Sequence, residues 1–128
     1  MSDRSAILTA QYVALTTYRR NGTPVTTPVW AAAEGESLYL FSNAAAGKVK
    51  RLRNSSRAAI APCTAIGKVT GAQLPAEAFN LASDQMPKVW RLLTKKYGIA
   101  ARLFVAYDRA RALLRMQPSA GIEVRLTP

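Results

Sequence analysis

Along the first third of the chain, apolar and polar positions follow the short period of strands. Tyr12 to Arg19 (YVALTTYR) is rich in β-branched and aromatic residues and predicts a strand. Asn21-Gly22 comes next, a hairpin signal because both residue types tolerate positive φ. Val25 to Ala32 follows as the partner strand, Glu34-Gly35 as the next turn, and Ser37 to Ser42 (SLYLFS) as a third strand. The three form a meander. The period then changes. Ala44 to Arg53 suits a short helix capped by Ser42 or Asn43, with Val49 and Leu52 turned to the core. Ala58 to Thr64 returns to strand character, although Pro62 implies an edge or a bulge there. After an Ile66-Gly67 turn, Lys68 to Leu81 contains another strand.

A longer period follows. Met86, Val89, Trp90, Leu93 and Tyr97 form one apolar stripe at helical spacing. Ser83-Asp84 starts that helix, Lys95-Lys96 favours its negative end, and Gly98 stops it. Ile99, Leu103, Tyr107 and Leu114 mark a second helix that ends before Pro118. From Gly121 to Thr127, Ile122, Val124 and Leu126 alternate with Glu123 and Arg125, a half-buried strand. Six strands with helices inserted late predict a mainly β, α+β fold: a six-stranded antiparallel barrel, a short helix after strand 3 and two helices before the last strand. No repeat, linker or low-complexity tract divides the 128 residues, so residues 1–128 are expected to form a single domain.

Composition narrows the chemistry. The chain has no histidine, which removes Ser-His-Asp and Cys-His mechanisms, HExxH zinc sites and the usual base near neutral pH. One cysteine and seven scattered carboxylates leave little for a metal cluster, and no metal ligand is assigned. Cys63 cannot form an internal disulfide, so a reducing cytoplasm is the expected home. It reads as a small buried hydrophobe. No apolar run approaches the roughly 18 residues of a membrane span, the N-terminus lacks the pattern of a secretory signal, and no membrane partner is expected. An enzyme built this way would take its reactive atoms from a cofactor.

Charge changes the picture further. The formal net charge is +11, yet no acid occurs between Ser37 and Ala76, where Lys48, Lys50, Arg51, Arg53, Arg57 and Lys68 all fall. Such a block is either a solvated basic face or a site for a phosphate-bearing cofactor or nucleic acid. If the first helix begins near Ala44, Lys48 lies in or beside its first turn, where a cation opposes the helix dipole. Free backbone N–H groups, small side chains and a nearby lysine together describe an anion site. Against this stands a basic helix that merely wets the surface. Trp30 reads as core packing or as a cofactor neighbour, and Tyr97 as packing, with a hydroxyl free to reach a substrate. Arg102, Arg109, Arg111 and Arg115 read as the wet side of a helix. No side chain has the surroundings of an obligatory proton donor, so no catalytic residue is assigned.

The order YVALTTYRRNGTPVTTPVW, LYLFSNAAAGKVKRLRN, APC…GKVTG and KKYG resembles the pyridoxamine-phosphate-oxidase-like split β-barrels. It is most similar to the deazaflavin (F420)-dependent group of the flavin/deazaflavin oxidoreductase superfamily. The resemblance implies a homodimer with the cofactor held between protomers. Its second strand, here Thr27, Pro28, Val29 and Trp30, would hold the tricyclic ring mainly by backbone contacts. Ser42, Asn43 and Lys48 would hold the phosphate, Arg51 and Arg53 would continue the basic groove, and Lys68 would reach in from the other chain. The chain also departs from its flavin-binding relatives. Thr27 stands where these often carry arginine, and Ala46-Gly47 replaces a phosphate donor before the lysine. Asn54-Ser55-Ser56 replaces the usual Asn-Pro turn. These departures favour coenzyme F420, whose polyglutamate tail would use the extended basic groove, over FMN.

The resulting expectation is an F420H2-dependent oxidoreductase that passes a hydride to an apolar or conjugated small molecule. The alternatives are an FMN enzyme of the same fold, a cofactor carrier or sensor without catalysis, and a basic nucleic-acid-binding barrel. The basic helix argues against the last, because it lacks interleaved aromatic residues, although Tyr39 and Phe41 precede it.

Overall fold

The computed structural model describes residues 2–43, 46–114 and 119–127, without the side chains of Asn43, Arg111 and Ala112. Ala44, Ala45, Arg115 and Pro118 lie outside the described residues. Seven strands form one antiparallel sheet: β1 Tyr12–Tyr18, β2 Pro24–Val29, β3 Ala32–Glu34, β4 Ser37–Asn43, β5 Arg57–Cys63, β6 Leu74–Asn80 and β7 Ser119–Leu126. Their order across the sheet is β2-β1-β5-β6-β7-β4-β3. Among the described residues four α-helices accompany them, α1 Asp3–Thr9, α2 Gly47–Asn54, α3 Met86–Tyr97 and α4 Ile99–Leu113, with a short 3-10 turn, Ser83–Gln85, before α3. The turns sit where glycine permits positive φ. Gly22 has φ 87°, and the Thr23 amide donates to Asn21 Oδ1. Gly98, with φ 65°, ends α3 through its N–H to Thr94 O.

The topology explains why this sheet is a barrel. β2 and β3 are its two opposite edges, yet only Trp30 and Ala31 separate them. The three Cα steps from Val29 to Ala32 reach about 11 Å. Seven flat strands spaced about 4.8 Å apart would put the edges roughly 29 Å apart. The sheet must therefore curl until its edges meet. The seam is closed by two residues of chain and by no ladder between β2 and β3. The strand expected as one piece over Val25 to Ala32 thus breaks at Trp30-Ala31, leaving β1 and joining β4. That break makes seven strands where six are expected.

Strand parity sorts the side chains. Val13, Leu15, Leu38, Leu40, Ile60, Ile122 and Val124 are fully buried in one interior cluster, which Ile7 of α1 and Val49 and Leu52 of α2 join. Each such side chain contributes about 1.5–3 kcal/mol on burial. A second cluster lies outside the barrel, where Val89 and Leu93 of α3 and Ala101 of α4 pack with Ala32 and Tyr39. Pro62 lies in the interior strand β5, opposite Val13. The β5–β6 ladder runs only from Arg57↔Glu77 to Ile60↔Leu74, and the Pro62 carbonyl accepts from the Thr70 amide beyond it. The missing proline N–H therefore faces away from β1 at a place that is locally an edge.

Two further features depart from the sequence reading. The first is α1, capped by Ser2 Oγ, which accepts from the Ser5 amide. Its seven residues present one buried side chain, Ile7, too little for a periodic signal. The second is the stripe Ile99, Leu103, Tyr107 and Leu114 on and just after α4. It points to solvent, with relative exposures of 75%, 67%, 58% and 72%.

Candidate functional site

A cationic corner forms where α2 meets the barrel. Ser42 ends the inward row of β4 and is buried, and Lys48 Nζ donates to its hydroxyl at 3.3 Å. One turn further on, Arg51 Nε donates to Thr17 Oγ1 of β1 at 2.6 Å. The guanidinium folds back over Gly47. A Cβ at Gly47 would stand 2.5 Å from Arg51 Nη1, so a side chain there would displace it. Asn80 Nδ2 donates to the Val49 carbonyl at 3.0 Å and ties α2 to β6. Two cations thus lie against the first turn of α2, where the dipole is positive. Burial, then the neighbouring Arg51, pushes the Lys48 ammonium below the ordinary lysine range. Arg51 is likewise lowered, by burial and then by Arg19. A lysine held this way gains from a bound anion, which would oppose both causes.

An aromatic groove lies on the outer side of the seam. The Trp30 ring stacks on Tyr97 with centroids 4.4 Å apart and planes 5° apart, and meets Phe104 edge-on at 5.1 Å. Phe104 continues to Phe41 and Phe41 to Trp90, at 5.5 and 4.8 Å. Two cavities share Trp30 and Phe104. One, of about 240 Å³, is bounded by Tyr12, Pro28, Val29, Trp30, Phe41 and Ala65. The other, about 450 Å³, opens between Trp30 and Ala100, Leu103 and Tyr107 of α4.

The end of α3 clamps this groove to the barrel. Lys96 Nζ donates to the Ala10 and Ala31 carbonyls, both at 2.6 Å. The Tyr97 hydroxyl accepts from the Ala31 amide at 3.1 Å, and the Gln11 and Ala31 carbonyls stand 2.7 and 3.0 Å from it. Burial is the main cause that pushes the Tyr97 hydroxyl up to about 12, so it stays neutral. Its hydroxyl is engaged by backbone. It both stacks and hydrogen-bonds, which accounts for it without a substrate.

Of the residues that the resemblance singles out, Ser42 and Lys48 come together with Arg51 beside them, and Pro28, Val29 and Trp30 line the smaller cavity. Thr27 points into the barrel opposite Leu15, and its Oγ1 is buried with no partner among the described residues. Lys68 is exposed on the β5–β6 connection, which also carries Ala65 of the groove. Arg53 is exposed on α2, away from the Lys48–Ser42 pair. Asn43 closes β4, and its side chain is outside the described set. Thr17 and Phe104 are not singled out in the sequence reading, and Phe41 and Lys96 are noted there without a role in the site. Thr17, Phe41 and Lys96 lie in segments that carry the resemblance but are given no site role there, and Phe104 lies in none of them.

The sequence profile of the family described as pyridoxamine 5'-phosphate oxidase matches residues 3–125. Among solved structures, a protein of unknown function from Agrobacterium tumefaciens matches with a TM-score of 0.67 and 17% identity. The match covers 98% of this chain and 52% of that one, so this chain spans about half of that relative's length. An F420 reductase matches with a TM-score of 0.62 and 17% identity, covering 100% of this chain and 95% of its own. An FAD-binding protein from Mesorhizobium loti gives 0.64 and 16%, over 100% and 91%. At these identities the likeness is one of fold. No curated protein matches the chain.

Proposed function

Since this chain belongs to the pyridoxamine 5'-phosphate oxidase family, we propose that it is an oxidoreductase that binds coenzyme F420. In this reading it passes a hydride to an apolar or conjugated small molecule. The observation that carries this is the cationic corner: a half-buried Lys48 and Arg51 against the first turn of α2, in a stretch without a single acid from Ser37 to Ala76. Ser42, Lys48 and the opening amides of α2 would hold the phosphate. Pro28, Val29 and Trp30 would hold the ring system. The bound cofactor supplies the carbon that carries the hydride. The chain's own part is to fix distance and face and to exclude water, for which Trp30 stacked on Tyr97, with Phe104 edge-on to it, provides an aromatic wall. Nothing in this part of the mechanism asks Tyr97 for a proton.

The absence of a phosphate donor at Ala46-Gly47 is why F420 is preferred to FMN. Calorimetric titration tests the choice. F420 is expected to bind at micromolar affinity or better and FMN at least about tenfold more weakly, a gap of about 1.4 kcal/mol. Equal or reversed affinities overturn the preference, and no binding of either overturns the cofactor reading.

A homodimer belongs to the same proposal. The groove is open to solvent in one chain, with Pro28 exposed at its rim, and a second protomer would close it and bring its Lys68 near the phosphate. Light scattering at tens of micromolar is expected to return twice the mass of one chain. The mass of a single chain refutes it.

A further inference from the structure

Between α3 and α4 runs a groove of about 790 Å³ that shares no lining residue with the two cavities beside Trp30. Trp90, Val105 and Ala106 give it apolar walls, and four cations border it, Arg91 and Lys95 of α3 and Arg102 and Arg109 of α4. All four are exposed, and none forms a salt bridge among the described residues. Two acids lie close, and both are engaged. Asp108 Oδ1 accepts from the Ser119 amide at 2.9 Å, and Glu34, which feels the charge of Arg91, is paired with Lys88 at 2.9 Å. Arg102 and Arg109, which read from the sequence as the wet side of a helix, thus share a groove with a second cationic row.

This groove is not the face left to a second protomer. That face carries Leu103 and Tyr107 beside Trp30. At 3.6 residues per turn, Arg102 and Arg109 lie roughly 100–120° around α4 from Leu103. The spread of the cations narrows the occupant. Seven residues separate Arg102 from Arg109, about 10.5 Å along the helix axis, and Lys95 lies about one turn beyond Arg91. One carboxylate cannot meet charges so far apart. Like charges at i, i+4, as Arg91 and Lys95 are, also repel unless an anion lies between them. Arginine forks match phosphate oxygens in pairs. The occupant that fits carries several anionic oxygens and a flat apolar body for the Trp90 wall. A nucleoside di- or triphosphate has both, and the groove lies within the usual size of small-ligand sites, about 300–1,000 Å³.

We infer that the α3–α4 groove binds a nucleoside polyphosphate, its phosphates held by Arg91, Lys95, Arg102 and Arg109 and its base against Trp90. The site stands apart from the cofactor reading, since neither Ser42 nor Lys48 borders the groove.

Calorimetric titration of the full chain with ADP tests this. ADP is expected to bind once per chain at about 100 μM or tighter, and adenosine and pyrophosphate each at least about tenfold more weakly, because each keeps only part of the contacts. Arg102→Gln/Arg109→Gln changes two exposed side chains. It is expected to keep the wild-type melting curve and to bind ADP at least about tenfold more weakly. Lys95→Gln, on the other helix, should weaken ADP in the same direction. No binding at millimolar ADP overturns the inference. So does pyrophosphate that binds as tightly as ADP, because bulk charge alone is then at work. Loss of ADP binding in Lys48→Ala, with none in the glutamine variants, overturns it by putting the phosphates in the cationic corner. Affinity for short oligoadenylates that rises with their length overturns it as well, since the groove would then be part of a nucleic-acid track.

Discussion

Lys48→Ala is expected to weaken F420 binding by about 1.5–3 kcal/mol, the range for hydrogen bonds to charged groups. The cofactor-free protein should lose no stability and gain slightly. The ammonium lies in the first turn of α2, against the dipole, and half-buried beside Arg51 with a single 3.3 Å bond to Ser42. Its removal relieves both conflicts at the cost of one weak bond. The exposed Lys50 is the control, and Lys50→Ala should change affinity far less. Calorimetry on both variants, with thermal melts of the cofactor-free forms, decides the matter. An early melt with normal binding would make Lys48 structural and move the phosphate elsewhere.

Lys96→Met is expected to have the opposite effect on stability, a loss of about 1–3 kcal/mol, because the Ala10 carbonyl loses its donor and the buried Ala31 carbonyl keeps only the Tyr97 hydroxyl. Burial lowers the affinity of both lysines for their protons. Lys96, however, makes two bonds of 2.6 Å, to Ala10 and to the fully buried Ala31. Tyr97→Phe should cost a similar amount, and since both side chains meet Ala31, the double variant should fall short of the sum. Tyr97 adds a pH signature. Its folded pKa, about 12, lies above the ordinary value of 10.0, so its contribution is complete below pH 10 and is lost as pH rises from there toward 12. Urea melts across that window should show wild type losing more stability than Tyr97→Phe. Parallel losses would mean that the hydroxyl is not held as described.

The legible parts of the chain were those with local causes. Asn21-Gly22 and Glu34-Gly35 placed their turns, and the period of Met86, Val89, Trp90, Leu93 and Tyr97 placed α3, with Val89 and Leu93 fully buried. The break at Trp30-Ala31 has no local signal, because it follows from where β2 and β3 find partners at opposite ends of the sheet. The clamp was hidden for the same reason. Lys95-Lys96 reads as charge favouring a helix end, and the Lys96 acceptors, Ala10 and Ala31, are 86 and 65 residues away. Periodicity also carries no direction. The spacing of Ile99, Leu103 and Tyr107 correctly marked a helix, but not that its apolar face turns outward. In the candidate site, Ser42 and Lys48 were visible through the resemblance, whereas Arg51 reaching Thr17 required the barrel to exist.

A seam without a ladder leaves β2 with an open edge, and an open edge invites a foreign strand to add itself, the first step of sheet-mediated aggregation. Pro24, Thr26 and Pro28 occupy alternate positions of β2, opposite Tyr18, Thr16 and Ala14. A proline cannot donate to β1, so this row directs its nitrogens outward, and Thr26 alone keeps an N–H there. β3, the other edge, is three residues long. An incoming strand would need alternating donors and acceptors, and on β2 it meets carbonyls with two of three donors removed. Such an edge can accept hydrogen bonds from a small ligand while refusing to template another chain.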